Sequence, residues 1–315
     1  MSKILVTGAL GQIGTELLAG LRAEHGAANV VASDIRGPGD DAAVDGPFEL
    51  LDVTDGARIA QVVKAHQIDA IYHLAALLSA TGEARPQLAW HVNVGGLMAV
   101  LEVARESGCR VFTPSSIAAF GPSTPAIDTP QDTLQRPTSM YGVTKVTGEL
   151  LCDYYHHRYG VDTRGVRFPG LISYGTPPGG GTTDYAVDIF HAALKHGNYA
   201  CFLGSESRMD MMYMPDAIRG IIQLMNADAS KLIHRNAFNI TAMSFTPAEL
   251  AHELQKHLPD FVMSYDVDPV RQAIADSWPD SLDDSTARAE WGWDPTFDMA
   301  SMVTDMLTNL RPRYS

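Results

Sequence analysis

The stretch Lys3-Ile4-Leu5-Val6-Thr7-Gly8-Ala9-Leu10-Gly11-Gln12-Ile13-Gly14 joins an apolar run to three glycines, and Thr15-Glu16-Leu17-Leu18-Ala19-Gly20-Leu21 continues it with helical spacing. Strand, glycine turn and helix follow in the order of a dinucleotide-binding unit. The glycines permit a tight turn, and the helix N-terminus receives a pyrophosphate. The spacing is G-x-x-G-x-x-G, not G-x-G-x-x-G. The other interpretations are a glycine-rich turn of any α/β protein, or a secretion signal, which Glu16 interrupts too soon.

The second apolar run indicates which dinucleotide is bound. Asn29-Val30-Val31-Ala32-Ser33 ends at Asp34, 20 residues after the last glycine of the turn. A carboxylate at this place accepts hydrogen bonds from the ribose hydroxyls and repels a 2′-phosphate. The sequence therefore predicts NAD in preference to NADP, although the neighbouring Arg36 weakens the distinction.

The composition of the 315-residue chain narrows the class of protein. With 23 basic and 37 acidic residues the net charge is −14, and no basic cluster is present, which argues against nucleic acid as a partner. No apolar segment approaches the ~20 residues of a membrane span. The three cysteines have no paired spacing and indicate buried thiols in a reducing compartment, the cytoplasm. The eleven histidines lack acidic or cysteine partners at ligand spacing, so no metal is predicted.

Apolar runs and helical stretches alternate through the first half of the chain. Six strands are predicted by residue 168, at 3–7, 29–33, 48–51, 68–76, 110–116 and 163–168, with helices near 55–66, 86–107 and 142–159. The alternation predicts an α/β fold with a doubly wound parallel Rossmann sheet of about seven strands, the seventh from 237–240. Ligands of such sheets gather at the carboxyl ends of the strands.

Beyond residue 169 the composition changes, and glycine and proline are frequent between residues 170 and 181. A helix is predicted at 184–196, a short strand at 201–203, and a helix that begins at the capping signature Thr246-Pro247-Ala248-Glu249 and ends near 258. We therefore expect residues 1–169, completed by about 210–242, to form the nucleotide-binding domain. Residues 170–209 and 243–315 are expected to form a smaller, interleaved substrate-binding lid domain.

Tyr141 and Lys145 provide the best indication of chemistry. They are four residues apart on a predicted helix and therefore share one face. An ammonium ~4 Å away favours a phenolate by roughly 4 kcal/mol at an effective dielectric of ~20, before desolvation is subtracted. The pair could therefore remove a proton from an alcohol. A hydroxyl residue, Ser116, follows a predicted strand 25 residues upstream of the tyrosine.

The chain resembles the extended short-chain dehydrogenase/reductases, the group that includes nucleotide-sugar epimerases and dehydratases. The resemblance covers nearly the whole length and rests on the three glycines, Asp34, Asp52-Val53, His73-Leu74-Ala75-Ala76, Asn93-Val94 with Gly96, Ser115-Ser116 before Phe120-Gly121, Tyr141 to Lys145, Arg167-Phe168-Pro169 and Ala287-Arg288-Ala289-Glu290-Trp291-Gly292-Trp293-Asp294-Pro295. It implies that Tyr141 is the acid/base, that Lys145 favours its phenolate and holds the nicotinamide ribose, and that Ser116 orients the substrate oxygen, with Ser115 as the alternative.

The resemblance also implies a set of residues that contact NAD. They are Gly8, Gly11, Gln12, Ile13, Gly14, Asp34, Ile35, Arg36, Asp52, Val53, Leu74, Ala75, Ala76, Asn93, Ser115, Tyr141, Lys145, Phe168 and Pro169. It further implies a homodimer in which helices near 86–107 and 142–159 form a four-helix bundle.

Within this family the details are similar to the L-threonine 3-dehydrogenases of the short-chain type. The similarity lies in Leu77-Leu78-Ser79-Ala80, the loop at 176–188 and Ser277-Trp278-Pro279. It implies oxidation of the β-hydroxyl of L-threonine to 2-amino-3-oxobutanoate. The residues expected at the substrate are Ser79, Ser116, Tyr141, Thr182, Thr183, Asp184 and Trp278.

Other interpretations of the same residues stay open. The glycine-rich loop could cradle a phosphate, as a nucleotide-sugar epimerase or dehydratase needs, but it leads into Asp184 and Asp188, which repel phosphate. Asp184 could equally serve the N-terminus of the helix that follows it. Arg208 resembles a pyrophosphate-binding arginine of the epimerases, yet stands one residue out of register with Asp216. A noncatalytic NAD-responsive regulator is a third possibility.

Overall fold

A computed structural model describes residues 2–39, 45–176 and 179–314. The strands are β1 (Ile4–Thr7), β2 (Val30–Asp34), β3 (Phe48–Leu50), β4 (Ala70–His73), β5 (Arg110–Phe112), β6 (Ser115–Ser116), β7 (Thr163–Arg164), β8 (Val166–Phe168), β9 (Gly170–Ile172), β10 (Asn198–Cys201), β11 (Met209–Tyr213), β12 (Phe238–Asn239), β13 (Met243–Phe245) and β14 (Val262–Tyr265). The α-helices are α1 (Gln12–His25), α2 (Gly56–His66), α3 (Ser79–Ala84), α4 (Pro86–Ala89), α5 (Gly96–Ser107), α6 (Met140–Tyr159), α7 (Tyr185–His196), α8 (Met214–Asn226), α9 (Pro247–Gln255), α10 (Pro269–Ala275), α11 (Ser285–Trp291) and α12 (Met299–Leu310).

The central sheet has six parallel strands in the order β3-β2-β1-β4-β5-β7. Successive side chains of a strand point to opposite faces of the sheet. Val6 of β1 therefore packs in a core with α1 and α8 on one face, and Leu5 packs in a core with α2 and α5 on the other. Helices thus cover both faces of the sheet. The α/β, doubly wound parallel fold predicted from the sequence is confirmed.

The predicted strands 110–116 and 163–168 are each interrupted. β5 stops before Pro114, which has no N–H to donate to the ladder. β7 stops before Gly165, where a side chain would overlap the carbonyl oxygen of Thr113. Both segments of the chain then continue, as β6 and β8, in a small parallel sheet of order β12-β8-β6. The predicted seventh strand therefore pairs with β8 and not with the six-stranded sheet.

Three other predicted elements need correction. The helix predicted at 86–107 is α4 and α5 joined by a π-helical segment, Trp90–Gly95. The strand predicted at 201–203 lies at 198–201, where it pairs with β14. The capping box of Thr246 and Glu249 forms as predicted, but α9 ends at Gln255 rather than near 258. The extra width of the π-helical turns is not visible in apolar spacing over so short a segment.

A second core lies in the later part of the chain. It gathers buried side chains of β11, α7, α9 and α12, and two further sheets with the orders β13-β11-β9 and β10-β14 border it. The division of the chain at residues 169, 209 and 242 stays a prediction. Parts of the predicted loops at 37–47 and 176–188, namely residues 40–44, 177 and 178, lie outside the described residues.

Candidate active site

The glycine turn between β1 and α1 is built for close approach. Gly8 has φ +68°, and a Cβ there would lie 2.7 Å from the backbone nitrogen of Ala75. A Cβ on Gly14 would overlap the carbonyl oxygen of Gly8. The first turn of α1 contains no acidic residue, so its free N–H groups and dipole favour an anion. Gln12 adds a buried Nε2 with no hydrogen-bond partner among the described residues. These features fit the pyrophosphate of a dinucleotide.

One cleft at the ends of β1, β2 and β4, called here the adenosine cleft, brings together many residues predicted to bind the cofactor. Its lining includes ten of the predicted cofactor residues: Gly8, Gly11, Asp34, Ile35, Arg36, Asp52, Val53, Leu74, Ala75 and Ala76. Leu88, His91 and Val92 also line it, from α4 and the π-helical segment. The sequence analysis missed these three because nothing in their spacing places a distant helix over the sheet edge.

Asp34 lies at the end of β2 and is 7% exposed. Its Oδ2 accepts a hydrogen bond from the Leu10 backbone at 3.2 Å, and its Oδ1 accepts two from Arg36, from the backbone N at 3.1 Å and from Nε at 3.3 Å. The carboxylate is thus fixed in orientation. The Arg36 head is 69% exposed, so the local charge is dominated by the carboxylate, which favours a ribose hydroxyl over a phosphate.

Asn93 was expected to contact the cofactor, but its amide is fully used within the protein. The Oδ1 accepts from Leu77 N at 2.8 Å, and the Nδ2 donates to Leu77 O at 3.1 Å and to Thr144 Oγ1 at 3.1 Å. The side chain therefore ties the segment after β4 to α6. Asn93 also lines a cavity with Ala75 and Lys145, and its contact with the cofactor stays a prediction.

The two residues predicted to be catalytic, Tyr141 and Lys145, lie on the first turns of α6, as expected. Ser139 caps this helix by accepting from Gly142 N at 3.1 Å, and Glu83 accepts from Met140 N at 2.6 Å. A side chain at Gly142 would overlap the carbonyl oxygen of Ala118, so glycine allows the helix to approach that segment. The Nζ of Lys145 lies 5.3 Å from the centre of the Tyr141 ring and donates to the carbonyl of Pro114 at 2.7 Å.

The two adjacent serines have different surroundings. Ser115 is buried, and its hydroxyl donates to the Glu149 carboxylate, itself paired with Arg167. Ser116 is half-buried, and its hydroxyl accepts a 3.2 Å bond from Ala118 N. Among the described residues no acceptor for its proton is found, so the hydroxyl can donate into the cleft. Of the two alternatives, the geometry favours Ser116 as the hydroxyl that faces a substrate.

A second cleft, continuous with the first at Leu74 and Ala76, brings the predicted substrate residues together. All seven line it: Ser79, Ser116, Tyr141, Thr182, Thr183, Asp184 and Trp278. The predicted cofactor residues Gln12, Ile13, Ser115, Lys145, Phe168 and Pro169 line it as well. Elements far apart in sequence therefore converge on one site. Leu78, Ile117, Gly170, Leu171 and Gly181 belong to its wall and were not predicted.

Asp184 ends the glycine-rich loop at the start of α7. Its Oδ2 accepts from Gly180 N at 2.7 Å and from Gly181 N at 2.6 Å, and no side-chain cap bond to α7 forms. Burial raises the pKa of this carboxyl, while the two backbone bonds lower it. The aspartate therefore organises the loop from within, and its Oδ1 is the oxygen left to meet a ligand.

Arg208 takes no part in either cleft. Its guanidinium donates to Glu249 Oε1 at 2.6 Å and to the Ser244 carbonyl at 2.9 Å. The residues that line the second cleft include one cation, Lys145. The methionines that follow Arg208 are fully buried in β11 and α8, so the expectation that they are packing residues is confirmed.

Two further properties concern the described part of the chain. Residues 2–39, 45–176 and 179–314 contain no group of three or more histidine, cysteine, aspartate or glutamate side chains arranged to hold a metal ion. Within the same ranges, no helix has the length and apolarity required to cross a membrane.

Comparison with known proteins agrees with this site. A model of the NAD dependent epimerase/dehydratase family matches residues 4–241. An uncharacterized epimerase/dehydratase of Staphylococcus saprophyticus is 59% identical over 98% of this chain and 96% of its own. The solved L-threonine dehydrogenase of Clostridium difficile is 60% identical, with a TM-score of 0.97 over 99% of this chain and 98% of that one. The GalE-like L-threonine dehydrogenase of Cupriavidus necator, in its holo form, is 54% identical, with a TM-score of 0.95 over 98% and 99%. The chain therefore belongs to the NAD-dependent epimerase/dehydratase family, in the extended short-chain group that its motifs predicted, and is an NAD-dependent oxidoreductase.

Proposed function

We propose that this protein oxidises the β-hydroxyl of L-threonine with NAD, giving 2-amino-3-oxobutanoate. The observation that carries the proposal is the composition of the second cleft. Tyr141, Lys145 and Ser116 face a pocket whose remaining polar side chains are hydroxyls, one amide and the Asp184 carboxylate. Such a set suits a small zwitterionic alcohol. The two solved relatives named above, which are L-threonine dehydrogenases, give it independent support.

Three side chains have separate roles in the proposed reaction. Tyr141, as phenolate, removes the proton of the substrate hydroxyl, and Lys145 stabilises that phenolate by its charge. Ser116 donates a hydrogen bond to the substrate oxygen and holds it toward the tyrosine. Bound NAD⁺ supplies the acceptor for the hydride that leaves the substrate carbon. General base catalysis of this kind is worth about 10²–10⁴-fold in rate, and alignment on a rigid sheet edge adds more.

The amino and carboxylate groups of the substrate need separate partners. We assign Asp184 to the ammonium group, because the Oδ1 is the carboxylate oxygen without a backbone bond from its own loop. We assign Ser79, Thr182 and Thr183 to the substrate carboxylate, which hydroxyl donors can bind without a full ion pair. Trp278 would then close the apolar side of the pocket, where it packs against Ile117, Phe120 and Leu282.

A nucleotide-sugar 4-epimerase or dehydratase is the second candidate on this scaffold. Such an enzyme needs cations that bind the diphosphate of its substrate. Here the Arg208 guanidinium is paired with Glu249, and Lys145 Nζ donates a hydrogen bond to the carbonyl oxygen of Pro114. A carboxylate at Asp184 would repel a diphosphate further. A noncatalytic regulator has no need for a base beside the nicotinamide site. Both alternatives are thus less consistent with the cleft than an amino-acid alcohol.

The experiment is the absorbance of NADH formed from NAD⁺ with L-threonine, with L-serine and with UDP-sugars. We expect turnover with L-threonine, weaker turnover with L-serine and no net NADH with the sugars. Tyr141→Phe should lose at least about 10²-fold in kcat. Tyr159→Phe, on an exposed position at the end of the same helix, is the matched control and should keep the wild-type kcat. Near-normal turnover by Tyr141→Phe would reject the mechanism.

We also propose that the protein is a homodimer. Helices α5 and α6 expose the apolar side chains of Met98, Val143, Leu150 and Tyr154, which a four-helix bundle formed by two chains would cover. Light scattering should give twice the mass of the 34.1 kDa chain, and the mass of one chain would refute this proposal.

A further inference from the structure

A row of polar side chains crosses the small sheet directly behind the cleft. Ser115, Arg167 and Asn239 are register partners on β6, β8 and β12. Because side chains alternate along a strand, the next residues, Ser116 and Phe168, point to the opposite face. Those two line the substrate cleft. The side chains of the row therefore lie on the face of the small sheet opposite to the Ser116 side chain, although Ser115 itself also lines the cleft.

Glu149 binds this row from helix α6. It lies four residues after Lys145 and eight after Tyr141, on the same helical face. Its carboxylate accepts from the Ser115 hydroxyl, from Arg167 Nε at 3.0 Å and NH2 at 2.8 Å, and from Gln135 Nε2 at 2.7 Å. The Glu149 and Arg167 side chains are only 6% and 7% exposed. Bidentate contact of this kind fixes direction as well as distance.

Arg167 extends the same connection to the loops around the site. Its NH1 donates to Gln131 O at 2.8 Å and to Asn239 Oδ1 at 3.0 Å, and its guanidinium lies 4.9 Å from the centre of the Phe120 ring. Asn239 Nδ2 in turn donates to the carbonyls of Thr129 and Asp283. All three nitrogens of the Arg167 guanidinium thus donate to buried groups on other elements.

We propose that Glu149 and Arg167 are positioning residues that set the distance between the Ser116 hydroxyl and the Tyr141 phenol. The two hydroxyls stand on different elements, β6 and α6, and Glu149 joins these elements by holding Ser115. The inference deepens the proposed function, on which it rests. A buried ion pair gives little net stability compared with apolar residues of the same volume, so a role in orientation explains the pair better than a role in stability.

Three variants test this role. Glu149→Gln keeps the shape but removes the charge that holds Arg167 and Ser115. Ser115→Ala removes one hydroxyl and should fold even if Glu149→Gln does not. The matched control is Asp162→Asn, which breaks the ion pairs of two other arginines, Arg164 at 2.9 Å and Arg235 at 2.7 Å. Asp162 precedes β7, at the sheet edge opposite the cleft.

We expect the variants to differ in which property they lose, kcat or thermal stability. A misplacement of about 1 Å can lower the rate about 100-fold, so we expect kcat of Glu149→Gln to fall about 10- to 100-fold, with KM for NAD within about twofold. Because Ser115 acts through Glu149, the double variant Glu149→Gln/Ser115→Ala should lose no more kcat than Glu149→Gln alone. Asp162→Asn should lose thermal stability and keep kcat. If Glu149→Gln and Ser115→Ala both keep kcat within about twofold, the positioning role is wrong.

A second measurement separates this proposal from the proposed function. Amide hydrogen exchange of residues 113–120 needs neither substrate nor NAD. It should become faster in Glu149→Gln and in Ser115→Ala, but not in Asp162→Asn. Wild-type protein that forms no NADH from L-threonine would overturn the proposed substrate, and the exchange data would still decide the positioning role. Unchanged exchange in both variants would overturn it.

Discussion

Replacement of Gly8 by alanine tests whether the glycine turn is shaped for the dinucleotide. At φ +68° an alanine is strained by about 1–2 kcal/mol. Its Cβ would also lie 2.7 Å from Ala75 N, 2.9 Å from Ala75 Cα and 3.0 Å from Leu74 C. These are backbone atoms of the chain leaving β4 and cannot rotate away, so the overlap adds roughly 1–3 kcal/mol. We expect Gly8→Ala to lower the free energy of unfolding by about 2–5 kcal/mol.

The clash also moves residues that the cofactor needs. Leu74 and Ala75 line the adenosine cleft, so relief of the overlap displaces its wall. A displacement that weakens binding by ~1.4 kcal/mol raises Kd tenfold, and we expect the Kd for NAD to rise at least about tenfold. The assays are urea unfolding and titration with NAD followed by protein fluorescence.

Gly160→Ala is the matched control because it isolates the backbone strain. Gly160 has φ +72°, and apart from its own chain neighbours and the adjoining helix backbone, no heavy atom of the described residues lies within 4 Å of its ideal Cβ. This variant should lower the free energy of unfolding by about 1–2 kcal/mol and leave the Kd for NAD unchanged. If both variants lose the same stability and both bind NAD normally, the close approach at Gly8 has no functional meaning and the reasoning is wrong.

Three other changes have defined outcomes. Asp34→Asn removes a charged acceptor, whose hydrogen bonds are worth about 1.5–3 kcal/mol, so the KM for NAD should rise about 10- to 100-fold and the preference over NADP should shrink in steady-state assays. Arg208→Ala breaks a half-exposed pair with Glu249 worth about 0–1 kcal/mol; kcat/KM for L-threonine should stay within about twofold, and a large loss would favour a phosphate-bearing substrate. Burial raises the pKa of Asp210 from 3.8 to about 8, so the folded protein keeps a proton that the unfolded chain releases. The contribution of this proton to the free energy of unfolding is fully present below pH 4 and is lost as the pH rises to 8, by up to about 1.4 kcal/mol per pH unit. Asp210→Asn should therefore weaken the pH dependence of the free energy of urea unfolding between pH 5 and 7. An unaltered pH dependence would contradict this prediction.

Local sequence patterns were sufficient for the parts of the fold that depend on local chemistry. The turn at Gly8 needs a left-handed residue in a fixed place, and the box of Thr246 and Glu249 satisfies the first N–H groups of a helix. Tyr141 and Lys145 share a face because four residues are about one helical turn. In each case, the physical requirement lies within a few consecutive residues, so the sequence shows it directly.

Other features depend on contacts between distant segments. Leu88, from α4, and His91, from the π-helical segment, line the adenosine cleft although both are far in sequence from β1 and β2. Arg208 was a reasonable phosphate ligand by motif, yet its nearest acceptors are on β13 and α9. The direction of a long side chain is set by the partners that it meets in the fold, and a motif does not contain them.

The assignment of tasks to Ser115 and Ser116 follows from the interruption at Pro114. Because the side-chain period of a strand is two, a slip of one residue sends every side chain to the opposite face. The break between β5 and β6 therefore decides which serine hydroxyl binds Glu149 and which one has the opposite orientation. Deletion of one residue between Phe112 and Ser115 would shift β6 by one position against β8 and bring Ser116, in place of Ser115, opposite Arg167. The proposed role of Ser116 thus depends on the length of the interruption as much as on the identity of the residue.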